Sequence, residues 1–138
     1  MQAEWRKKQY EHDLGDGEPA GNTVRIIGAA FDAPMIQQHP DWVGIGLDLF
    51  DGGQSMLQVC GLVAQVMGMS NSVFVTAVYT NVVGSAPDTV TRDAFVSLLQ
   101  GSGGQMTQGQ LLELAANTDL NAVNIDLVGL QQSGVEFV

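Results

Sequence analysis

Short apolar segments separated by glycine-rich breaks make up most of this chain. In the second half, residues 74–83 are mostly apolar and end at the turn sequence of residues 84–88. A second apolar segment, residues 95–99, runs into the glycine-rich residues 101–104, and a third segment begins at Thr107. Apolar positions at helical spacing and glycine or proline at the breaks are typical of short helices. The pattern therefore predicts three helices joined by a turn and a glycine break.

The first half shows the same order of signals. Apolar positions from Asn22 onward predict a helix that stops before Pro34, because proline disfavours helix in the residue before it. After a connector, Pro40 predicts the start of a helix over residues 40–50. Ser55, with Gln58 three residues later, matches a capping box and predicts a third helix. Its apolar face is broad enough to predict the central, nearly buried helix of the fold.

Matching features of the two halves lie about 52 residues apart. Ser55 matches Thr107, which again precedes a glutamine by three residues, and Trp42 matches Phe95. The glycine breaks at residues 52–53 and 103–104 match as well. A shared order of such features is typical of tandem repeats that pack on each other. We predict an all-α fold, a compact bundle of about six to seven short helices built from two tandem repeats of roughly fifty residues.

This interpretation divides the chain into four regions. Residues 1–21 are a charged arm and linker, with a short helix expected up to about Asp13. Residues 22–70 form repeat one and residues 71–117 form repeat two, whose first helix we expect Asn71 or Ser72 to cap. Residues 118–138 carry a closing helix through Leu130, with Asn121 on its outer face, and a tail. An α/β fold is the alternative, with strands at residues 42–50 and 74–83, because β-branched residues are frequent.

Charge excludes several classes of function. The 138 residues contain 15 acids and five bases, which gives a formal net charge of −10, and only 14% of residues are charged. Binding to nucleic acid or to an anionic membrane surface needs clustered Lys and Arg, so we expect neither. No apolar run reaches the roughly 18 residues that cross a bilayer, and the N-terminus lacks the apolar core of a signal peptide. Cys60 is the single cysteine, so no internal disulfide can form and a buried structural thiol is expected.

Candidate chemistry is sparse. His12 and His39 lie far apart and have no second histidine at helical spacing, which argues against a transition-metal site. The acidic excess favours calcium, although no EF-hand loop is present and capping or solvation is the plainer role for each carboxylate. The candidate calcium ligands are Asp48, Asp51, Asp88 and Asp93. No nucleophile elbow or phosphate loop occurs, so we predict no catalytic residues and no cofactor. A hydrolase would need a pocket that joins His39 to an acid and a hydroxyl.

Residues of the second half resemble a known bacterial family. The tyrosine at position 79, the turn at residues 84–88, Phe95 and the capped helix after Thr107 are similar to a helical domain of unknown function. That domain occurs in calcium-dependent repeat-containing (RTX) secreted adhesins and toxins and in surface-layer proteins. Ser85 stands where the family commonly has arginine, and Phe95 where it has tryptophan. The resemblance covers about residues 22–138 and implies a secreted or cell-surface protein that is exported without an N-terminal signal peptide.

Two functions follow from these observations. The first is a non-catalytic, exported module in adhesion or in extracellular or surface-layer assembly, with a protein or a surface glycan as partner. Exposed aromatic residues could stack on a sugar, and the candidates are Trp5, Trp42 and Tyr79. The alternative is a small protein-interaction or homodimerising adapter that uses the Met-rich apolar face of the helix near Met56, Met67 and Met69. Neither function requires membrane insertion.

Overall fold

The computed structural model describes residues 18–127, 129, 130, 134 and 137. In these residues lie eight helices: α1 (Pro19–Phe31), α2 (Pro34–Gln38), α3 (Pro40–Asp51), α4 (Met56–Met67), α5 (Asn71–Val83), α6 (Thr89–Val96), α7 (Gln108–Ala116) and α8 (Asp119–Asn124). The same residues form no strand, and only one isolated parallel bridge joins Leu99 to Met106. The all-α prediction is confirmed. The α/β alternative is wrong, because residues 42–50 and 74–83 both lie inside helices.

Local capping chemistry sets several helix ends where the sequence predicts them. The side chains of Ser55 and Thr107 each accept a hydrogen bond from the backbone N–H three residues later. The side-chain oxygens of Gln58 and Gln110 accept a hydrogen bond from the backbone N–H of the capping residue in return, both at 2.8 Å. Both capping boxes are therefore confirmed. Pro40 begins α3 as predicted, because a proline at the first helical position gives up no backbone hydrogen bond.

Other helix ends differ from the prediction. α1 begins at Pro19, so its first turn occupies residues that the sequence assigns to the linker. Pro34 starts the short helix α2 where a connector is predicted, which brings the described helices to eight rather than six or seven. Ser70, and not Asn71 or Ser72, caps α5 by accepting a hydrogen bond from the Val73 nitrogen. The helix predicted up to Asp13 lies outside the described residues.

α1 is the central helix of the fold. It contacts α2, α3, α4, α5, α7 and α8, and residues 20–30 are all buried. Small side chains allow this close packing, since a β-carbon at Gly28 would overlap the side chain of Ile125. The prediction that α4 is central is wrong, because Leu62 and Val66 of α4 are 42% and 80% exposed. α4 is more apolar than its place in the fold requires.

Two apolar clusters form the interior. The first lies between α1, α4, α5 and α7, and it contains the fully buried Phe74, Leu112 and Cys60. The second lies between α1, α3 and the residues after α8, and it contains Leu47 and Phe137. Each of these five side chains is at most 3% exposed. The two clusters share α1, so this helix joins both halves of the chain.

The C-terminal part departs most from the prediction. α8 ends at Asn124, and Asp126 then adopts the left-handed conformation with φ 53°, so the predicted helix through Leu130 is interrupted. Asn121 is predicted on an outer face, but it is fully buried. Its amide nitrogen donates to the backbone carbonyls of Arg25 and Ala116, both at 2.9 Å. The amide thus joins α8 to α1 and satisfies a carbonyl at the C-terminal end of α7, which is why burial of Asn121 is tolerated.

Candidate functional site

An open apolar groove lies between α1, α3 and α4. We call it the Trp42 groove, and its volume is about 340 Å³. The side chains that define it come from all three helices: Ile26, Phe31, Trp42, Ile45, Leu62 and Val66. Thr23 supplies a hydroxyl to a lining that is otherwise almost entirely apolar, and that hydroxyl already donates to the Pro19 carbonyl at 2.7 Å. The groove therefore favours apolar ligand groups over polar ones.

The apolar side chains at the mouth of the Trp42 groove are exposed. Ile45 is 57% exposed on α3, and on α4 Leu62 and Val66 are 42% and 80% exposed. Exposed apolar residues that occur singly are ordinary, but a contiguous apolar patch marks a binding surface. These three residues all line one groove. Their exposure is the first indication of a site.

The position of Trp42 is fixed by neighbouring rings. Its indole stacks on the His39 imidazole with ring centroids 3.7 Å apart and planes 5° apart. The Phe31 ring lies on another side at 5.0 Å and 50°. Gly46 lets α3 approach α1 closely, because a β-carbon there would come within 2.9 Å of the Thr23 hydroxyl oxygen. A half-buried aromatic ring held in this way loses little conformational entropy when it contacts a ligand.

A second apolar groove lies between α5, α6 and α7 and extends to Leu120 on α8. We call it the Phe95 groove, and its volume is about 290 Å³. The side chains that define it are Val78, Val83, Phe95, Leu98, Leu114 and Thr118. Tyr79 also lines it, with its ring centroid 6.3 Å from that of Phe95. Leu98 and Leu114 are 45% and 57% exposed at its mouth.

The described part of the chain carries many more acidic than basic side chains. The described residues carry ten carboxylic side chains: Glu18, Asp32, Asp41, Asp48, Asp51, Asp88, Asp93, Glu113, Asp119 and Asp126. They carry two basic side chains, of which Arg25 is 5% exposed and Arg92 donates to the Asp93 carboxylate at 3.1 Å. Asp41 and Asp48 lie one turn on either side of Ile45 along α3. The mouth of the Trp42 groove is therefore apolar with acidic residues beside it.

The predicted calcium ligands are placed separately along the fold. Asp48 and Asp51 lie on α3, whereas Asp88 caps α6, its Oδ1 accepting from the Thr91 nitrogen at 2.7 Å. This hydrogen bond lowers the pKa of Asp88 below 3.8. Within the described part of the chain, no three acidic, histidine or cysteine side chains come together in a group that could hold a metal ion. The Asp88 carboxylate has the capping role that the sequence suggests for it.

The other predicted residues have defined positions. Trp42 and Tyr79 each line one of the two grooves, and Trp5 lies outside the described residues. His39 stacks on Trp42 and lies 3.6 Å from the Asp41 carboxylate, but it lines neither groove. Cys60 is buried, as expected, and burial together with the nearby Glu113 carboxylate raises the pKa of its thiol from 9.0 to about 12.

The sequence does not predict either groove. The exposure of α4 accounts for the omission, because a broadly apolar helix predicts burial rather than a surface. The predicted methionine contact face, Met56, Met67 and Met69, is half-buried and packs on the first core cluster. Leu62 and Val66 are the exposed apolar residues of the same helix. A usable signal was the match between Trp42 and Phe95, since both rings line grooves.

Comparison with known proteins adds no relative. No family model, curated protein or solved structure matches the chain. The resemblance to the helical domain of adhesins and surface-layer proteins therefore stays a prediction. None of the described helices is by itself both long and apolar enough to cross a bilayer, and α4 and α5 meet that requirement only as a pair bent by 115°.

Proposed function

We propose that the chain is a non-catalytic protein-interaction module that binds an amphipathic helix in the Trp42 groove. The observation that carries this proposal is the exposed apolar mouth formed by Ile45, Leu62 and Val66. Helix-in-groove recognition uses apolar anchors of the ligand helix, spaced three or four residues apart, that enter such a groove. Burying these three side chains and the exposed part of Trp42 would supply the apolar area that such binding needs.

Charge indicates which helix fits. The chain carries a formal net charge of −10, and Asp41 and Asp48 lie on either side of Ile45. Lys or Arg on the flanks of the ligand helix would be attracted to this surface, which speeds association and selects against acidic partners. The same net charge opposes pairing with a second copy of the chain. A basic amphipathic helix is therefore the proposed ligand, in preference to self-association.

A protein ligand is also favoured over a glycan. Sugars present many hydroxyl groups that need hydrogen-bond partners, and an unpaired buried hydroxyl is costly. The Trp42 groove offers the single hydroxyl of Thr23, which already donates to the Pro19 carbonyl. One face of Trp42 is stacked on His39, and the tilted Phe31 ring lies with its centroid 5.0 Å from that of Trp42. Stacking of this indole on a sugar is therefore less favourable than apolar contact along its edge.

A labelled model peptide tests the proposal. The probe is an 18-residue synthetic helix of leucine and lysine, with leucine on one face, and its binding to the full chain is followed by fluorescence anisotropy. The matched control peptide has glutamate in place of every lysine. We expect the lysine peptide to bind and the glutamate peptide to bind at least tenfold more weakly. Equal binding of the two peptides, or no binding of either, would refute the proposal.

Matched variants separate groove binding from general attraction between opposite charges. Ile45→Gln removes an apolar contact at the groove mouth without changing the charge of the chain. Val123→Gln is the control, because Val123 is 81% exposed on α8 and lines neither groove. We expect Ile45→Gln to weaken binding of the lysine peptide about tenfold and Val123→Gln to leave it unchanged. Equal affinity in both variants would mean that the peptide binds outside the Trp42 groove.

The exported, surface-associated setting remains a separate proposal. It rests on the family resemblance in the second half of the chain and on the low content of Lys and Arg. Helix binding by this module would suit either an adhesin assembly or an intracellular adapter. Fractionating the source cells, and detecting the chain by antibody in the medium, at the surface and in the cytosol, would distinguish the two settings.

A further inference from the structure

The Phe95 groove is built from residues at the same register as those of the Trp42 groove. Ten of the twelve residues that line the Trp42 groove have a counterpart 52 or 53 positions further along that lines the Phe95 groove. Six of these pairs are Ile26 with Val78, Phe31 with Val83, Trp42 with Phe95, Ile45 with Leu98, Leu62 with Leu114, and Val66 with Thr118. Two grooves that arose independently on a helical surface would have no reason to share this register.

The helices that form the grooves share the same displacement. α1 and α5 are both 13 residues long and begin 52 positions apart, at Pro19 and Asn71. α4 and α7 also begin 52 positions apart, each after a capping box. The residues that end α1 and α5, Asp32 and Gly84, both have positive φ, at 88° and 93°. The two pairs of helices thus match in where they begin, and α1 and α5 also match in length and in the positive φ of the residue that ends them.

One contact joins equivalent positions of the two halves directly. The Asn81 amide nitrogen donates to the Ala29 carbonyl at 3.0 Å, and these residues are 52 positions apart. The middle helices differ more, since α3 has 12 residues and α6 has eight. The match is therefore strongest in the helices around the first core cluster, α1 with α5 and α4 with α7, and weakest in the helix that bears Trp42 or Phe95.

We infer that the two grooves are equivalent sites, derived from duplication of one unit of about 52 residues, and that the chain binds two copies of the same class of ligand. This inference rests on the proposed function, because it assigns to the Phe95 groove the ligand proposed for the Trp42 groove. Each site takes one amphipathic helix with basic flanks. The consequence is a bivalent module that brings two such helices onto one small domain.

The two sites are expected to differ in strength. Phe95 offers a smaller ring than Trp42, and Thr118 replaces the apolar Val66. Arg92 lies one turn before Phe95 on α6 and reduces the local negative charge, although it is paired with Asp93. Less apolar area and a weaker attraction for lysine both lower affinity. The Phe95 groove should therefore bind the same peptide about tenfold more weakly than the Trp42 groove.

Isothermal titration calorimetry with the leucine–lysine peptide tests the inference in the full chain. Leu62→Gln and Leu114→Gln are the matched variants, because these residues occupy equivalent places and are 42% and 57% exposed. The double variant combines them, and Val90→Gln is the control at an 81% exposed position outside both grooves. Far-ultraviolet circular dichroism of each variant verifies that the helices are retained. All four variants keep the charge of the chain unchanged.

The outcomes distinguish the two proposals. We expect two peptides per wild-type chain, about tenfold weakening of the stronger site alone by Leu62→Gln, and the same loss at the weaker site by Leu114→Gln. The double variant should lose about tenfold at both sites, and Val90→Gln should behave as wild type. One peptide per chain, with loss only in Leu62→Gln, would overturn the second site and leave the proposed function standing. Absence of peptide binding to the wild-type chain would overturn both proposals. Dimerisation of the chain, seen as a molar mass that doubles as the protein concentration rises, would also overturn both.

Discussion

α4 and α7 approach each other closely at Gly109. A β-carbon at this position would lie 2.8 Å from the Gly61 Cα atom and 2.9 Å from the Gly61 nitrogen. Carbon atoms in contact are normally about 3.5–4.0 Å apart, so Gly109→Ala would force the two helices apart by about 1 Å. Both obstructing atoms belong to the backbone and cannot rotate away. We therefore expect Gly109→Ala to loosen the first core cluster.

The size of this effect follows from two opposing terms. Overpacking of a well-packed contact typically costs about 1–3 kcal/mol in the free energy of unfolding. Alanine is a better helix former than glycine by about 1 kcal/mol in a helix interior, and by less in the first turn, where Gly109 lies. The fully buried Cys60 and Leu112 flank the contact and would lose packing. The net expectation is a destabilisation of about 1–2 kcal/mol.

Gly61→Ala is the matched control, and its expected effect has the opposite sign. No atom lies within 4 Å of the position that its β-carbon would take. Gly61 lies in the middle of α4 and is exposed to solvent. Alanine there should stabilise the protein by about 0.5–1 kcal/mol, because it restricts the unfolded backbone without a clash. Urea unfolding followed by circular dichroism at 222 nm measures both variants. With a slope of about 2 kcal/mol per molar urea, the midpoint should fall by about 0.5–1 M in Gly109→Ala and rise by about 0.3–0.5 M in Gly61→Ala.

The sign is the decisive part of this experiment. A midpoint in Gly109→Ala that equals or exceeds that of the wild type would mean that α4 and α7 do not meet backbone to backbone at this position. The two glycines lie on facing helices, so an error in that packing would change both results together. Agreement in sign for both variants supports the antiparallel contact of α4 and α7. That contact also runs from Met56 to Asn117, through a hydrogen bond of 3.5 Å from the amide nitrogen to the sulfur.

Two further predictions concern polar side chains. Asn121→Ala should lower the free energy of unfolding by about 2–4 kcal/mol, because the buried carbonyls of Arg25 and Ala116 lose the hydrogen bond from its amide. Gln65→Ala, at an exposed position of α4, should change it by less than about 0.5 kcal/mol, and equal urea midpoints in the two variants would contradict the role assigned to Asn121. The Asp88 carboxylate accepts hydrogen bonds from Thr91, chiefly from its backbone N–H, and these lower the pKa of Asp88 in the folded protein. Its contribution to stability is therefore complete above the ordinary pKa of an aspartate and is lost as the pH falls through the lower folded pKa. Asp88→Asn keeps a hydrogen-bond acceptor at the cap that does not titrate. The melting temperature should therefore fall less in the variant than in wild type between about pH 5 and about pH 2. Parallel profiles of melting temperature against pH would count against the capping interaction.

The sequence predicts the local features of the candidate site better than the site itself. Trp42 and Tyr79 are selected as contact residues because aromatic rings combine an apolar body with a polar edge, and each lies in a groove. The exposure of Ile45, Leu62 and Val66 is not predictable in this way. Periodicity shows that a helix has an apolar face, but it does not show how much of that face the neighbouring helices cover.

The sequence by itself determines where most helices begin and end. Pro40 begins α3, and the capping residues Ser55 and Thr107 place the first turns of α4 and α7, because each of these signals acts within four residues along the chain. Only the tertiary structure decides which helix is central. α4 is the more apolar candidate, but α1 is surrounded because its glycine and alanine residues let other helices approach, even though this buries Asn22, Thr23 and Arg25. The burial of Asn121 also depends on how the helices pack. Its amide donates to the carbonyl of Arg25 on α1, far away in sequence, and to the carbonyl of Ala116 at the end of α7. Helix ends depend on neighbouring residues, whereas burial and open grooves depend on contacts between distant ones, and this difference separates what the sequence predicts from what the fold decides.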